Sequence, residues 1–149
     1  MPIDIDSTID THDHEHANGI TSLASPAEPT SDPRPFIFDH HRLHAYDVAL
    51  TALVRGEAIA KSIPRGHASF VDQLRRALAG AFLQTTEAAA RTGADRLARF
   101  RAARGEVCEA AGAVEALERL GLVSTEAAHG ELALLHRLCG MLTKLARLR

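Results

Sequence analysis

The chain has 149 residues, of which 46% are apolar and 4% aromatic, and Ala and Leu dominate the apolar set. That composition favours helices, because Ala and Leu lose little conformational freedom in a helix. No apolar run approaches the ~18 residues that span a bilayer, and the N-terminus lacks the basic and apolar regions of a secretory signal. The two cysteines, Cys108 and Cys139, show no metal-ligand spacing. We therefore expect a cytoplasmic protein with ordinary thiols and no membrane association.

The net charge of −2 conceals an uneven distribution. Residues 1–35 carry seven acids and one base, which leaves 12 of the 19 acids and 16 of the 17 bases in residues 36–149. An acidic segment therefore precedes residues 36–149, which we call the body and which have a net charge of about +4. This excess predicts anionic partners for the body, although it is modest beside that of dedicated nucleic-acid-binding domains.

Residues 1–35 show no sustained apolar period and are rich in Pro, Ser, Thr, Asp and His. Such a segment cannot bury enough apolar area to offset the entropy lost when it becomes ordered. We predict that this acidic tail is disordered.

The first helix is predicted over residues 39–63. Asp39 is a plausible N-cap, and Pro64 ends the helix because proline disfavours helical backbone in the residue before it. Apolar side chains recur at helical spacing along a main stripe and a second stripe. These are Leu43, Tyr46, Leu50 and Leu53 in the main stripe, and Val48, Ala52, Ile59 and Ile63 in the second.

The second helix is predicted over residues 70–91. Ser69 and Asp72 resemble a capping box, and Gly93 is expected in the left-handed position that follows a helix. Its apolar residues are Phe70, Leu74, Ala77 and Ala81, beside Val71, Leu78 and Phe82.

The third helix is predicted over residues 95–120 and the fourth from Ser124 or Thr125 to the C-terminus. Gly121 and Leu122 indicate a Schellman motif that ends the third helix. The third helix carries Leu97, Phe100, Val107, Val114 and Leu117; the fourth carries Leu135, Leu138, Leu142, Leu145 and Leu148, with Leu134 and Met141 beside them.

Four long helices with short connections predict an all-α fold, an antiparallel up-down four-helix bundle over residues 36–149. The second apolar stripes exceed what one bundle buries, so we expect the chain to associate with copies of itself. The alternative is a monomer with scattered exposed Leu and Ala side chains.

Nine histidines raise the possibility of a metal site. Three groups have ligand-like spacing: His12, His14 and His16; His40 and His44; Glu126 and His129. The first group alternates with Asp13 and Glu15, but a site in a disordered tail would have to offset the entropy of its own ordering. The second group lacks a third ligand nearby, and a di-iron bundle needs a second Glu-x-x-His motif. There is also no Gly-x-Ser-x-Gly turn that would present a nucleophilic serine, and no Gly-rich loop that would bind phosphate. We therefore predict no catalytic residue, metal or cofactor, with a metal-dependent enzyme as the least favoured alternative.

Polar residues recur along one face of the second and third helices. They are Gln73, Arg76, Gln84 and Glu87 on the second helix and Glu106 and Glu109 on the third. Two interpretations remain open. The residues form a solvated face, or they meet across an interface through ion pairs and amide hydrogen bonds that specify partner and register.

A basic cluster lies where the second helix ends and the third begins. It comprises Arg91, Arg96, Arg99, Arg101 and Arg104. Within this span Asp95 alone opposes these charges, so an oligomer would present a ring of positive potential suited to a phosphate backbone. Base stacking is not expected, because Phe100 belongs to the core stripe. The alternative is solubilising surface charge.

Three stretches carry a resemblance to a known family: Phe70-Val-Asp-Gln-Leu-Arg-Arg-Ala77, Thr86-Glu87-Ala88 and Phe100-Arg-Ala-Ala-Arg-Gly-Glu-Val-Cys-Glu109. They resemble the four-helix-bundle proteins encoded in intervening sequences of bacterial 23S ribosomal RNA genes. The matching positions are Gln73, Leu74, Arg75, Arg76, Ala77, Glu87, Phe100, Ala103, Gly105 and Glu109. The departures are Thr85 and Ala89, where the family has Asn and Gly, and Glu106, where it has Ser. The resemblance spans residues 36–149.

That family is similar to the accessory variability protein of diversity-generating retroelements. The resemblance implies a homopentamer with a basic surface that binds RNA or DNA and a nucleic-acid enzyme such as a reverse transcriptase. It also implies that the polar motif lies at subunit or intra-bundle contacts. We therefore expect a non-enzymatic scaffold that binds through the basic cluster. The alternative is a protein–protein interaction module whose acidic tail or apolar surface recruits a partner.

Overall fold

A computed structural model describes residues 38–147 of the chain. The predicted acidic tail, its histidines His12, His14 and His16, and Leu148 of the fourth stripe lie outside the described residues. The helices described below all belong to Pro35–Arg149, one of the two units into which the chain divides.

Four α-helices follow a short 3₁₀ turn. The turn spans Asp39–Arg42, and the helices are α1 (His44–Ser62), α2 (Ala68–Ala89), α3 (Gly93–Arg119) and α4 (Thr125–Leu145). Residues 38–147 contain no strand, which confirms the predicted all-helical class. No helix in this part of the chain is both long and apolar enough to cross a bilayer.

The four helices pack as a four-helix bundle around one core. Each helix contacts its neighbour in the chain, and α1 also contacts α4. Within the described residues the Cα atoms of the diagonal pairs, α1 with α3 and α2 with α4, stay more than 8 Å apart. The core therefore lies on the inner faces of all four helices.

Three predicted helix ends are confirmed. Ile63, which precedes Pro64, is extended with φ −75° and ψ 131°. Gly121 has φ +69°, and Leu122 N–H donates to Leu117 O at 3.0 Å, as a Schellman motif requires. Ser124 caps α4 by accepting a hydrogen bond from Ala127 N–H at 3.2 Å.

Three other predicted caps are wrong. Asp39 lies in the 3₁₀ turn, and α1 begins after Leu43 without a side-chain cap. The second helix begins after His67, so the proposed capping box at residues 69–72 lies inside α2. Gly93 does have φ +55°, but it opens α3 instead of closing α2, whose C-cap is Ala90.

The face that α1 buries is not the predicted main stripe. Its buried residues are Ala45, Val48, Ala49, Ala52, Gly56, Ile59 and Ala60. Three of them belong to the second stripe, whereas all four residues of the main stripe are half-buried. The core thus prefers the small side chains, which let neighbouring helices approach more closely than a row of leucines would.

Gly56 shows how close this approach is. A Cβ atom built at Gly56 would overlap Cδ1 of Leu78 on α2, and Leu78 is itself buried. Glycine inside a helix costs roughly 1 kcal/mol relative to alanine, so its presence here reflects the space that Leu78 needs.

We predict that Gly56→Ala lowers the free energy of unfolding by roughly 1–3 kcal/mol, because Leu78 must leave its rotamer or the two helices must separate. Gly140→Ala is the matched control. Nothing lies within 4 Å of a Cβ built at Gly140, so that substitution should raise the free energy of unfolding by about 0.5–1 kcal/mol. Urea denaturation of both variants measures the difference, and equal effects would contradict the close contact.

Candidate assembly and nucleic-acid surface

The predicted polar residues of α2 and α3 face one another within the chain. Gln73 Nε2 donates to Glu109 Oε2 at 2.7 Å. Arg76 donates to Gln73 Oε1, and its Nη2 lies 4.0 Å from Glu109 Oε2. Glu106 packs against Gly80, where a Cβ would lie 2.7 Å from the Glu106 carboxyl carbon.

The same polar contact continues toward the connection between α2 and α3. Arg99 Nη1 lies 3.0 Å from Glu87 Oε2 and donates to Gln84 Oε1 at 3.1 Å. Arg99 Nε is also 3.7 Å from Asp95 Oδ1. All six predicted interface residues therefore lie along one α2–α3 polar seam: Gln73, Arg76, Gln84, Glu87, Glu106 and Glu109.

The α2–α3 polar seam contributes more to register than to stability. Most of its charged groups are half-exposed or exposed, and ion pairs in that setting contribute ~0–1 kcal/mol each. The geometry is nevertheless specific, since Gln73 and Arg99 each join α2 to α3. A contact between subunits at these residues stays a prediction.

Two arginines of the basic cluster form ion pairs with acidic side chains of the same chain. Arg91 Nη1 lies 3.4 Å from Asp95 Oδ2, and Arg99 contacts Glu87 and Asp95 as described above. Arg96 lies over the ring of the buried Phe100, 5.4 Å from its centroid, which is within cation–π range. These three arginines are therefore engaged by groups of the same chain, and Arg99 joins α2 to α3.

Arg101 and Arg104 differ from the other three arginines. Both are exposed on α3, and neither forms an ion pair within residues 38–147. They lie three residues apart, so their side chains share one face of the helix. Within the described residues these two guanidinium groups are therefore the members of the basic cluster that are both exposed and without an ion pair.

The histidines that have ligand-like spacing contact other side chains. The His40 ring contacts Tyr46, with centroids 4.6 Å apart, whereas His44 Nε2 lies 2.6 Å from an Arg137 nitrogen. His129 Nε2 lies 3.6 Å from Glu118 Oε1 on α3. Among residues 38–147, no three His, Cys, Asp or Glu side chains are placed to hold a metal ion.

Glu131 is a buried carboxyl that the sequence interpretation missed. It lies on α4 with 0% exposure, and within the described residues neither carboxyl oxygen has a hydrogen-bond partner. Arg55 on α1 is the nearby cation, with Nε 3.8 Å from Oε2 and half of its side chain exposed. Burial raises the pKa of Glu131 to about 7, and the charge of Arg55 opposes that shift.

Two glycines shape the surroundings of Glu131. A Cβ at Gly130 would overlap the Arg55 guanidinium, and a Cβ at Gly56 would lie 3.6 Å from Glu131 Oε1. Arg55 and Gly56 on α1 thus lie against Gly130 and Glu131 on α4. We call these four residues the α1–α4 contact.

A signal for the α1–α4 contact was present in the sequence. Glu131 lies four residues before Leu135, so it continues the apolar stripe of the fourth helix toward its N-terminus. Gly56 and Gly130 are glycines in helix interiors, which usually indicate a close backbone approach. The pairing of the two signals depends on how α1 and α4 are aligned, which no local pattern specifies.

No family model matches the chain, and no curated protein is significantly similar to it. The resemblance described under sequence analysis therefore stays a prediction. Of its departures, Thr85 is fully buried, and its hydroxyl donates to Ala81 O at 2.7 Å.

We predict that Glu131→Gln changes how stability depends on pH. In the unfolded chain Glu131 ionises near its ordinary pKa of 4.5, whereas the folded chain retains the proton up to about pH 7. The folded state thus binds more protons between these values, and Glu131 makes the free energy of unfolding fall as pH rises through that window. The fall amounts to at most about 3 kcal/mol.

The Glu131→Gln variant lacks this contribution, so its stability relative to the parent should increase from about pH 4.5 to about pH 7 and then level off. Urea denaturation at several pH values measures the difference. Glu115→Gln, which removes an exposed carboxyl from α3, is the control. Parallel profiles for the parent and Glu131→Gln would show that the carboxyl is not held neutral.

Proposed function

We propose that the chain is a non-enzymatic scaffold. In this proposal it is an antiparallel up-down four-helix bundle that assembles into a homopentamer and binds nucleic acid or a nucleic-acid enzyme such as a reverse transcriptase. Assembly is supported chiefly by apolar side chains left outside the core. The pentamer and the enzyme partner rest on the family resemblance.

The unused apolar surface lies mainly on α1 and α2. Val54 is 63% exposed and Leu83 is 58% exposed, and the two helices that carry them pack against each other. Leu50 and Leu53, from the predicted main stripe of α1, are half-buried. Large apolar side chains on adjoining helices favour a contact with another chain.

We predict that light scattering after size exclusion gives a mass of about 80 kDa, five times the 16.0 kDa of one chain. Val54→Glu combined with Leu83→Glu should lower that mass, because it buries two charges in the proposed contact. Both positions are exposed in one chain, so the variant should still fold. Arg65→Glu combined with Arg119→Glu is the control. A parent mass near 16.0 kDa would contradict assembly.

Nucleic-acid binding is supported by Arg101 and Arg104. They are exposed and lack ion pairs within residues 38–147, so phosphate oxygens would meet no competing carboxylate there. Repetition in an oligomer would multiply this charge. Binding through phosphate contacts depends on the backbone charge and is weakened by salt.

We predict that Arg101→Glu combined with Arg104→Glu reduces RNA and DNA affinity at least about ten-fold and lowers the slope of log K against log salt by roughly 2 per chain. The control is again Arg65→Glu with Arg119→Glu, which changes net charge equally at exposed positions elsewhere. Fluorescence anisotropy with a labelled oligonucleotide across a salt series measures both quantities. Undetectable binding by the parent near physiological ionic strength would contradict this part of the proposal.

A protein–protein interaction module is the second candidate. The observation that favours it is the pairing of Arg91 and Arg99 with acids of the same chain, which reduces the positive charge available to phosphates. An assembled parent protein that binds no nucleic acid would support this candidate.

A further inference from the structure

Cys108 on α3 and Cys139 on α4 are 31 residues apart in the sequence but adjacent in the structure. Burial, and then the charge and hydrogen bonding of the Cys139 thiol, raise the pKa of the Cys108 thiol. Neither cysteine is in a disulfide. The two thiols are therefore close enough to influence each other across α3 and α4.

An independent contact between the same helices agrees with this pairing. Glu118 and His129 lie 3.6 Å apart. Cys108 comes ten residues before Glu118, and Cys139 comes ten residues after His129. Ten residues extend about 15 Å along a helix, so the two cysteines lie at similar distances from the α3–α4 connection.

The same two helices line a groove that includes Glu118 and His129. It has a volume of about 570 Å³ and is lined by α3 residues from Gly112 to Arg119 and by His129 and Leu132 of α4. Cys108 is one helical turn before Gly112, and Cys139 is two turns beyond Leu132. The thiol pair thus continues the same α3–α4 face.

The two thiols differ in accessibility. Cys108 is exposed, whereas Cys139 is half-buried and packs against the core. We propose that they form a redox-responsive pair that closes to a disulfide between α3 and α4 when a low-molecular-weight disulfide supplies the oxidising equivalents.

The exchange proceeds in two balanced steps. The Cys108 thiolate attacks one sulfur of the small disulfide, forms a mixed disulfide and releases the first small thiolate. The Cys139 thiolate then attacks the Cys108 sulfur and releases the second. Two protein thiols are thus oxidised by two electrons while one small disulfide is reduced to two thiols. The proton lost by each cysteine goes to solvent or to the departing thiolate.

The surroundings of Cys108 set the conditions for this reaction. Because its pKa is raised, little of the nucleophilic thiolate is present at neutral pH, although Arg104 acts in the opposite direction. The reaction should therefore accelerate as the pH rises. Once formed, the disulfide would constrain the α3–α4 pair without requiring assembly or nucleic acid.

The test equilibrates the full-length chain with reduced and oxidised glutathione, first in native buffer and then in concentrated urea. We expect the equilibrium constant for the Cys108–Cys139 disulfide to be at least about ten-fold larger in native buffer, because folding holds the two thiols together. Equal constants, or a smaller one in native buffer, would overturn the proposal.

Intact mass and peptide mapping identify the product. A loss of about 2 Da per chain, with the peptides of Cys108 and Cys139 joined, is the expected result. Cys108→Ser and Cys139→Ser should each yield only a single glutathione adduct under the same conditions. Two glutathione adducts on one parent chain, or a disulfide between chains, would overturn the proposal.

Discussion

Close approach between helices is the constraint on which this bundle depends. Alanine supplies most of the buried apolar positions on α1 and 12 of the 23 in the described core, where it lies beside larger side chains such as Phe100 and Leu135. Each alanine contributes little surface, and dispersion attraction falls steeply with distance. A core of this kind is stable only where the backbones approach closely and the small residues are correctly aligned.

The features of the surface follow from this constraint. Gly56 accepts Leu78, Gly80 accepts the Glu106 carboxyl group, and Gly130 accepts the Arg55 guanidinium. Each of these glycines lies where a longer side chain of a neighbouring helix crosses it. The polar groups of the seam and of the α1–α4 contact can therefore reach across without separating the helices.

Local chemistry explains which parts of the fold were predictable from the sequence. Pro64, Gly121 and Ser124 act on the backbone beside them, and their effects do not depend on a distant segment. The faces of α3 and α4 were also recognisable, because each carries one dominant apolar stripe. The connection between α2 and α3 was less so, since Gly93 can adopt its positive φ either after one helix or at the start of the next.

The errors arose where two interpretations had similar local support. On α1 the leucine stripe is the more apolar by composition. The alanine-rich stripe is nevertheless the buried one, because the neighbouring helices pack too close to α1 to leave room for a row of leucines. The same holds for the candidate sites. The polar residues of α2 and α3 were recognised as a set, but their pairing within one chain depends on tertiary alignment. Cys108 and Cys139 gave no local indication that they would meet.

The neutral carboxyl of Glu131 has a consequence for the charge of the body. Counting residues 36–149 from the sequence gives about +4, but that count assumes that every carboxyl is ionised. Below about pH 7 the folded chain retains a proton on Glu131, so this carboxyl alone makes the body one charge more positive than a count that takes the histidines as neutral. By thermodynamic linkage, an anion that binds the folded body favours this protonated form, and proton uptake strengthens anion binding in return. The protonation state of Glu131, which is buried between α1 and α4, thus affects the affinity of the surface for anions.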